Sequence, residues 1–87
     1  MILEFASLLI INKMPFTLQY SKNGKAIIWV PNKYMTYVKC QIKQTIGGSY
    51  GFLSNFTNPK IILDGLTLEE AFEMAKEHYN HWEGDNL

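Results

Sequence analysis

Hydrophobic positions along this chain change their period once, near Gly65. Before it, apolar residues recur at every second position in short runs, as half-buried strands require. After it they recur at every third or fourth. Leu68, Ala71, Phe72, Ala75, Tyr79 and Trp82 form one continuous helical stripe. Thr67 stands at the N-cap position and Glu70 three residues on, the spacing of a capping box. Glu69 and Glu70 lie at the positive end of the helix macrodipole, and Gly84 suits a C′ residue. The spacing predicts an amphipathic helix from residue 67 to about Glu83.

The strand half begins with a hairpin over Phe16–Val30. Asn23-Gly24 is the preferred pair for a two-residue type I′ turn. Such a turn sets Tyr20 opposite Ile27 and Leu18 opposite Trp29. Phe16, Leu18, Tyr20, Ile27 and Trp29 then share the core face. Pro31 ends the second strand. Tyr34–Ile46 alternates again, with Val38, Cys40, Ile42 and Ile46 on one side and Tyr37, Lys39, Gln41, Lys43 and Thr45 on the other. Gly47-Gly48-Ser49 reads as a turn, and Tyr50–Phe56 as a returning strand weakened by Gly51. Asn58-Pro59 reads as a further turn, and residues 60–63 as a short strand closed by Asp64-Gly65.

The first eleven residues, MILEFASLLII, fit neither period cleanly. They are shorter than the roughly 20 residues a membrane span needs. They also lack the basic start and small-residue cleavage site of a signal peptide. The segment is expected to complete the core as a strand or a short helix. Alternatively Met14 is the native start. An unpacked leader would be an apolar patch that favours self-association.

The resulting expectation is one α+β domain over residues 1–87: leader 1–13, sheet 15–64, helix 67–83. An antiparallel sheet of three to five strands carries one helix on a single face. The expected core is Phe16, Leu18, Tyr20, Ile27, Trp29, Val38, Cys40, Ile42, Ile62, Leu68, Phe72, Ala75, Tyr79 and Trp82.

Charge adds a lopsided distribution to this frame. The chain is 47% hydrophobic, 18% charged and formally neutral, an ordinary globular composition. Yet residues 1–62 hold seven lysines and one acid, +6, whereas residues 63–87 hold one lysine and seven acids, −6. Either the halves attract each other within the fold, or each faces a partner. There is no arginine, the residue that reads guanine and phosphate bidentately, which counts against sequence-specific nucleic-acid binding. The single cysteine, Cys40, can form no intramolecular disulfide and suits a reducing, cytoplasmic compartment.

Residues capable of chemistry are few. His78 and His81 stand three apart, short of the ligand count a metal needs, with His78 at the border of the apolar stripe. Cys40 falls among apolar neighbours, as a buried small side chain does. The glycines of residues 47–51 lack the lysine-serine and helix N-terminus of a phosphate loop. No catalytic residue, cofactor or metal ligand is expected. Tyr37, Lys39 and Lys43 mix an aromatic with cations, as single-strand nucleic-acid platforms do. Glu69, Glu73 and Glu77 form a row of like charge that Lys76 offsets in part. These six residues are the candidate partner-binding positions.

Gly65-Leu-Thr-Leu-Glu-Glu-Ala-Phe-Glu-Met-Ala-Lys76, after a sheet, resembles the end of HicB-type antitoxin domains. That resemblance covers about a third of the chain and implies a protein-binding role for the sheet. Phe52-Leu-Ser-Asn-Phe56, with Leu63-Asp-Gly65 and the Ala71-Phe72 and Ala75-Lys76 pairs, is similar to a piece of the much longer NADAR-type glycosidase domains. No site residue is carried over from either family.

The functional expectation is a non-catalytic protein-binding module, a stand-alone inhibitor or accessory protein of phage or mobile-element type, partnered by another protein or by itself. A weak nucleic-acid binder using the lysine/tyrosine sheet face is the second expectation. An enzyme whose site is completed by oligomerisation is the third.

Overall fold

A computed structural model describes residues 2–54 and 60–81. The elements run α1 (Ile2–Ile11), β1 (Thr17–Tyr20), β2 (Ala26–Pro31), β3 (Lys39–Gln44), β4 (Tyr50–Ser54), β5 (Ile61–Leu66) and α2 (Leu68–Asn80). The strands form an antiparallel meander in the order β1-β2-β3-β4-β5. Both helices lie on one face. This is the expected α+β sheet of three to five strands, with a second helix added. No helix among the described residues is long and apolar enough to cross a membrane.

The leader is the added helix. Ile2, Phe5, Ala6 and Leu9 are buried at i, i+3, i+4 and i+7. Its end is a Schellman motif: the Met14 amide donates to the Leu9 carbonyl at 2.9 Å and the Lys13 amide to the Ile10 carbonyl at 3.0 Å. Lys13 takes the left-handed conformation at φ 58, where glycine is more usual. Burial of both Leu9 and Met14 supplies the accompanying apolar contact. Pro15 follows, so the helix cannot continue.

The first hairpin corrects the expected register. The Ser21 amide donates to the Lys25 carbonyl and the Gly24 amide to the Ser21 carbonyl. That is a three-residue loop, a type I turn followed by Gly24 at φ 77, and not the two-residue turn that Asn23-Gly24 suggests. One extra loop residue shifts the pairing to Tyr20↔Ala26 and Leu18↔Ile28. A slip of one residue moves every β2 side chain to the other face. Ile28 and Val30 therefore enter the core, and Ile27 and Trp29 leave it. The Thr45–Ser49 turn repeats the same loop, with Gly48 at φ 96.

The covered face carries Leu18–Ile28–Ile42–Phe52–Leu63 as one cross-strand row and Val30–Cys40–Ser54–Ile61 as the next. Ile28, Val30, Cys40 and Ile42 are fully buried there. Phe5 of α1 meets Tyr50 at 5.6 Å between ring centroids. On α2, Ala71 and Ala75 are fully buried and His78 nearly so, while Leu68, Phe72 and Tyr79 are half-buried. The stripe is thus centred on its small residues, which let the helix approach the sheet closely. Tyr20 (61% exposed) and Ile62 (57%) are not core residues. Val38 is half-buried in a loop, and Ile46, at a turn tip, is exposed. Trp82 and the Asn58-Pro59 turn lie outside the described residues.

Three expected boundaries also move. β3 starts at Lys39 because residues 32–38 form a loop. Asp64-Gly65 does not close β5 but sits within it as a bulge: Phe52 pairs Leu63 and Tyr50 pairs Leu66, so β5 holds one extra residue, with Gly65 at φ 70. Helix α2 has the expected capping box, with Thr67 Oγ1 accepting from the Glu70 amide and Glu70 Oε1 from the Thr67 amide. It ends at Asn80, short of Glu83, because the 32–38 loop occupies its last carbonyls. Asn32 Nδ2 donates to the His78 and His81 carbonyls, and the Lys33 amide to that of Tyr79.

Candidate functional site

Two places in this fold concentrate polar or unpartnered side chains. One is buried at the C-terminal end of α2, and the other is the uncovered face of the sheet.

The buried place is built on Asn32, which follows β2. Its Oδ1 accepts the amides of Tyr34 at 2.8 Å and Met35 at 2.9 Å, the turn that asparagine favours. With its two donated bonds to α2, all four hydrogen-bonding positions of the buried amide are used. Beside it, His78 Nδ1 lies 3.4 Å from Ser54 Oγ, and Nε2 lies 3.4 Å from the Val38 carbonyl. A carbonyl at Nε2 calls for the proton there, which leaves Nδ1 to accept from the serine. Burial lowers the His78 pKa, opposed by the Val38 carbonyl. A serine beside a histidine is the geometry of nucleophile activation. Both are buried here, and their contacts join α2 to β4 and to the loop before β3. The sequence placed His78 at the border of the stripe; it is inside, because the helix turns its alanines to the sheet. His81 is exposed. Sequence reasoning passed over Asn32 and Ser54; an asparagine directly after a strand and Pro31 is the one signal for the first.

Cys40 is fully buried, and burial pushes its thiol up to about 12. Among the described residues, no three or more His, Cys, Asp or Glu side chains gather where they could hold a metal ion.

The uncovered face is assembled by the alternation of the same strands. Its central row is Thr17–Trp29–Gln41–Leu53–Ile62. The row beside it begins Gln19–Ile27–Lys43–Gly51. A Cβ on Gly51 would stand 3.0 Å from Asp64 Oδ1, which places that carboxylate over the glycine. Trp29 Nε1 donates to Gln19 Oε1 at 2.7 Å, which ties the indole to β1 with its one donor satisfied. Trp29, Ile27 and Leu53 are half-buried, and Ile62 is mostly exposed. Among the described residues, no helix or loop packs over them. Lys39 and Lys43 project from β3 on this face, and Lys25 and Lys60 continue the same alternation at the ends of β2 and β5. A broad hollow of about 1030 Å3 borders the hairpin tips and reaches this face at Ile27, Gln41, Lys43, Leu53 and Ile62. His78 does not line it.

The candidate positions separate accordingly. Lys39 and Lys43 come together on the uncovered face, joined there by Trp29, Ile27, Leu53 and Ile62. Tyr37, 80% exposed, lies in the turn before β3 and not in the strand. Glu69, Glu73 and Glu77 are exposed on α2, on the opposite side of the molecule, with Lys76 Nζ 3.1 Å from Glu73 Oε1. No family model, curated protein or solved structure matches the chain. The HicB-type and NADAR-type resemblances therefore remain short motifs.

Proposed function

We propose that this chain is a non-catalytic protein-binding module that seats its partner on the uncovered face of the sheet. The partner's complementary surface is an apolar centre with an acidic rim. The observation that carries this reading is the row Trp29–Gln41–Leu53–Ile62, apolar at three of its four positions, lying open between lysines. Antiparallel sheets commonly leave one face to solvent, and that face is then polar. Here its centre is apolar, with Trp29, Ile27, Leu53 and Ile62, the composition of an interface centre. Lys25, Lys39, Lys43 and Lys60 ring it, with Asp64 as the acid on the face, so an acidic partner is favoured in encounter and in register. A module of this kind acts by occupying its partner, as a stand-alone inhibitor or accessory protein does.

A nucleic acid is the second reading, favoured by Trp29 among lysines. Ile27, Leu53 and Ile62 weigh against it, because aliphatic side chains do not stack bases as aromatic ones do.

The test uses a displayed peptide library selected on the folded chain. Selected ligands should pair aliphatic or aromatic residues with Asp and Glu. The paired variant Lys39→Glu/Lys43→Glu, and separately Trp29→Ala, should each weaken them at least tenfold. The triple variant Glu69→Gln/Glu73→Gln/Glu77→Gln should bind as the parent does. Failure to select any such peptide overturns the reading. So does loss of binding in the triple variant, or tighter, steeply salt-dependent binding of a single-stranded oligonucleotide.

A further inference from the structure

We infer that a second copy of this chain pairs with the free edge of β1, joining two sheets into one across a two-fold axis. This surface is separate from the uncovered face. Its first element is backbone. The Ser21 amide bonds to the Lys25 carbonyl, so antiparallel alternation turns the N–H and C=O of Gln19 toward β2 and those of Leu18 and Tyr20 outward. An outward row of this kind is a template for another strand. The opposite edge, β5, is protected by Asp64 and the bulge at Gly65. Strand β1, Thr-Leu-Gln-Tyr, carries no charge, proline or bulge.

The second element is α1. A helix this rich in apolar residues is expected to keep them covered, yet Leu3 is 50% and Ile10 64% exposed, on a flank they share with Ser7. The buried stripe faces the sheet and α2, and Leu3 borders the same hollow as Tyr20. Five residues join α1 to β1, and the inferred pairing sets this exposed flank of α1 beside the β1 edge. A two-fold axis at Gln19 sets Leu18 opposite the partner's Tyr20, and Tyr20 opposite the partner's Leu18, each exchanging both backbone bonds. It brings the Leu3 and Ile10 flanks of the two helices together, antiparallel. The patch holds no charge to repel itself. Charge at the ends is complementary, since Glu4 near the start of α1 approaches the partner's Lys13, just past the end of the other α1.

A four-residue strand and these few side chains fall short of the roughly 800 Å2 per partner of a standard interface, so the dimer should be weak, with a Kd on the order of micromolar. Sedimentation equilibrium of the full chain from low to high micromolar concentration should show mass rising toward twice 10.1 kDa. Tyr20→Pro removes one outward donor and keeps every β1–β2 bond, since proline is tolerated with its nitrogen facing out of an edge. With circular dichroism unchanged, it should raise the dissociation constant at least tenfold. The double variant Leu3→Lys/Ile10→Lys should do the same. Both should leave binding of an acidic peptide on the uncovered face intact, which separates this inference from the preceding proposal. A mass that stays monomeric overturns it. So does a folded Tyr20→Pro variant that dimerises as the parent does, or dimerisation lost through Trp29→Ala instead.

Discussion

Ile42 and Gln41 are neighbours in β3, and each sits in the middle of a five-strand row. Ile42 joins Ile28 and Phe52 beneath two helices, where exposure falls to 2% or less. Gln41 joins Trp29, Leu53 and Ile62 on a face that no described element covers. The difference cannot come from the strands' composition, since β2 reads Ala-Ile-Ile-Trp-Val-Pro and is apolar toward both sides. It comes from what packs above. Ala71 and Ala75 bring α2 down onto one face, and Phe5 and Leu9 bring α1. Side chains on that face are held by close packing, whereas those on the other remain available to something else. One face thus holds the fold together, and the other is the one on which we propose that a partner sits.

The sharpest way to break this comparison is to truncate adjacent residues of one strand. Phe52→Ala removes a buried ring and should cost about 3–5 kcal/mol, close to the whole stability of a domain this small. Leu53→Ala, one residue on, should cost about 1 kcal/mol, because its side chain is only half covered. Urea denaturation of both variants checks this, and equal losses would mean that the open face is as much a core as the covered one.

A smaller effect comes from the polar position of the covered face. Burial lowers the His78 pKa, so the folded state takes up its proton less readily than the unfolded chain, whose histidine titrates near 6.5. The unfolded state therefore binds more protons below that value. The stability this neutral histidine contributes is complete above about pH 6.5 and is lost as pH falls toward the lowered folded value. Thermal midpoints should drop between pH 7.5 and 5.5, and His78→Gln should flatten that interval. An unchanged slope in the variant would move the responsible group elsewhere.

The smallest effect tests what decides which side chains face which way. Gly24→Ala forces a Cβ into a left-handed position and should cost about 1 kcal/mol. Deleting Lys22 leaves Asn23-Gly24 as a two-residue turn between Ser21 and Lys25, with the Tyr20↔Ala26 register unchanged. That deletion should be close to neutral, within about 0.5–1 kcal/mol. A large loss would show that the loop itself, and not the burial of Ile28 and Val30, holds the register.

Much of this architecture was legible because local chemistry dictates it. The capping box at Thr67 and Glu70, the glycine turn at residues 47–49 and the Cys40–Ile42 alternation each depend on residues within a few positions of one another. The candidate site was half legible. Lys39 and Lys43 were placed on an outer strand face, but Trp29, Ile27 and Ile62 were assigned to the core and Leu53 was not considered. One loop residue accounts for Trp29 and Ile27. Asn23-Gly24 permits both a two-residue and a three-residue turn at similar cost, and a strand that is apolar on both sides cannot arbitrate between them.

The sequence by itself determined that an antiparallel sheet precedes a capped amphipathic helix, which segments supply them to within a few residues, and that the charges divide between the two halves. Those properties follow from periodicity, capping and turn residues, which act over a few residues. Only the tertiary structure decided that the leader is a helix, which face of β2 is buried, that α2 stops at Asn80, and that His78 is inside. Each of these depends on a partner distant in the chain. The sheet and α2 bury α1, and α2 covers one side of β2. Asn32, 46 residues away in sequence from His78, takes the carbonyls that would otherwise have carried α2 further.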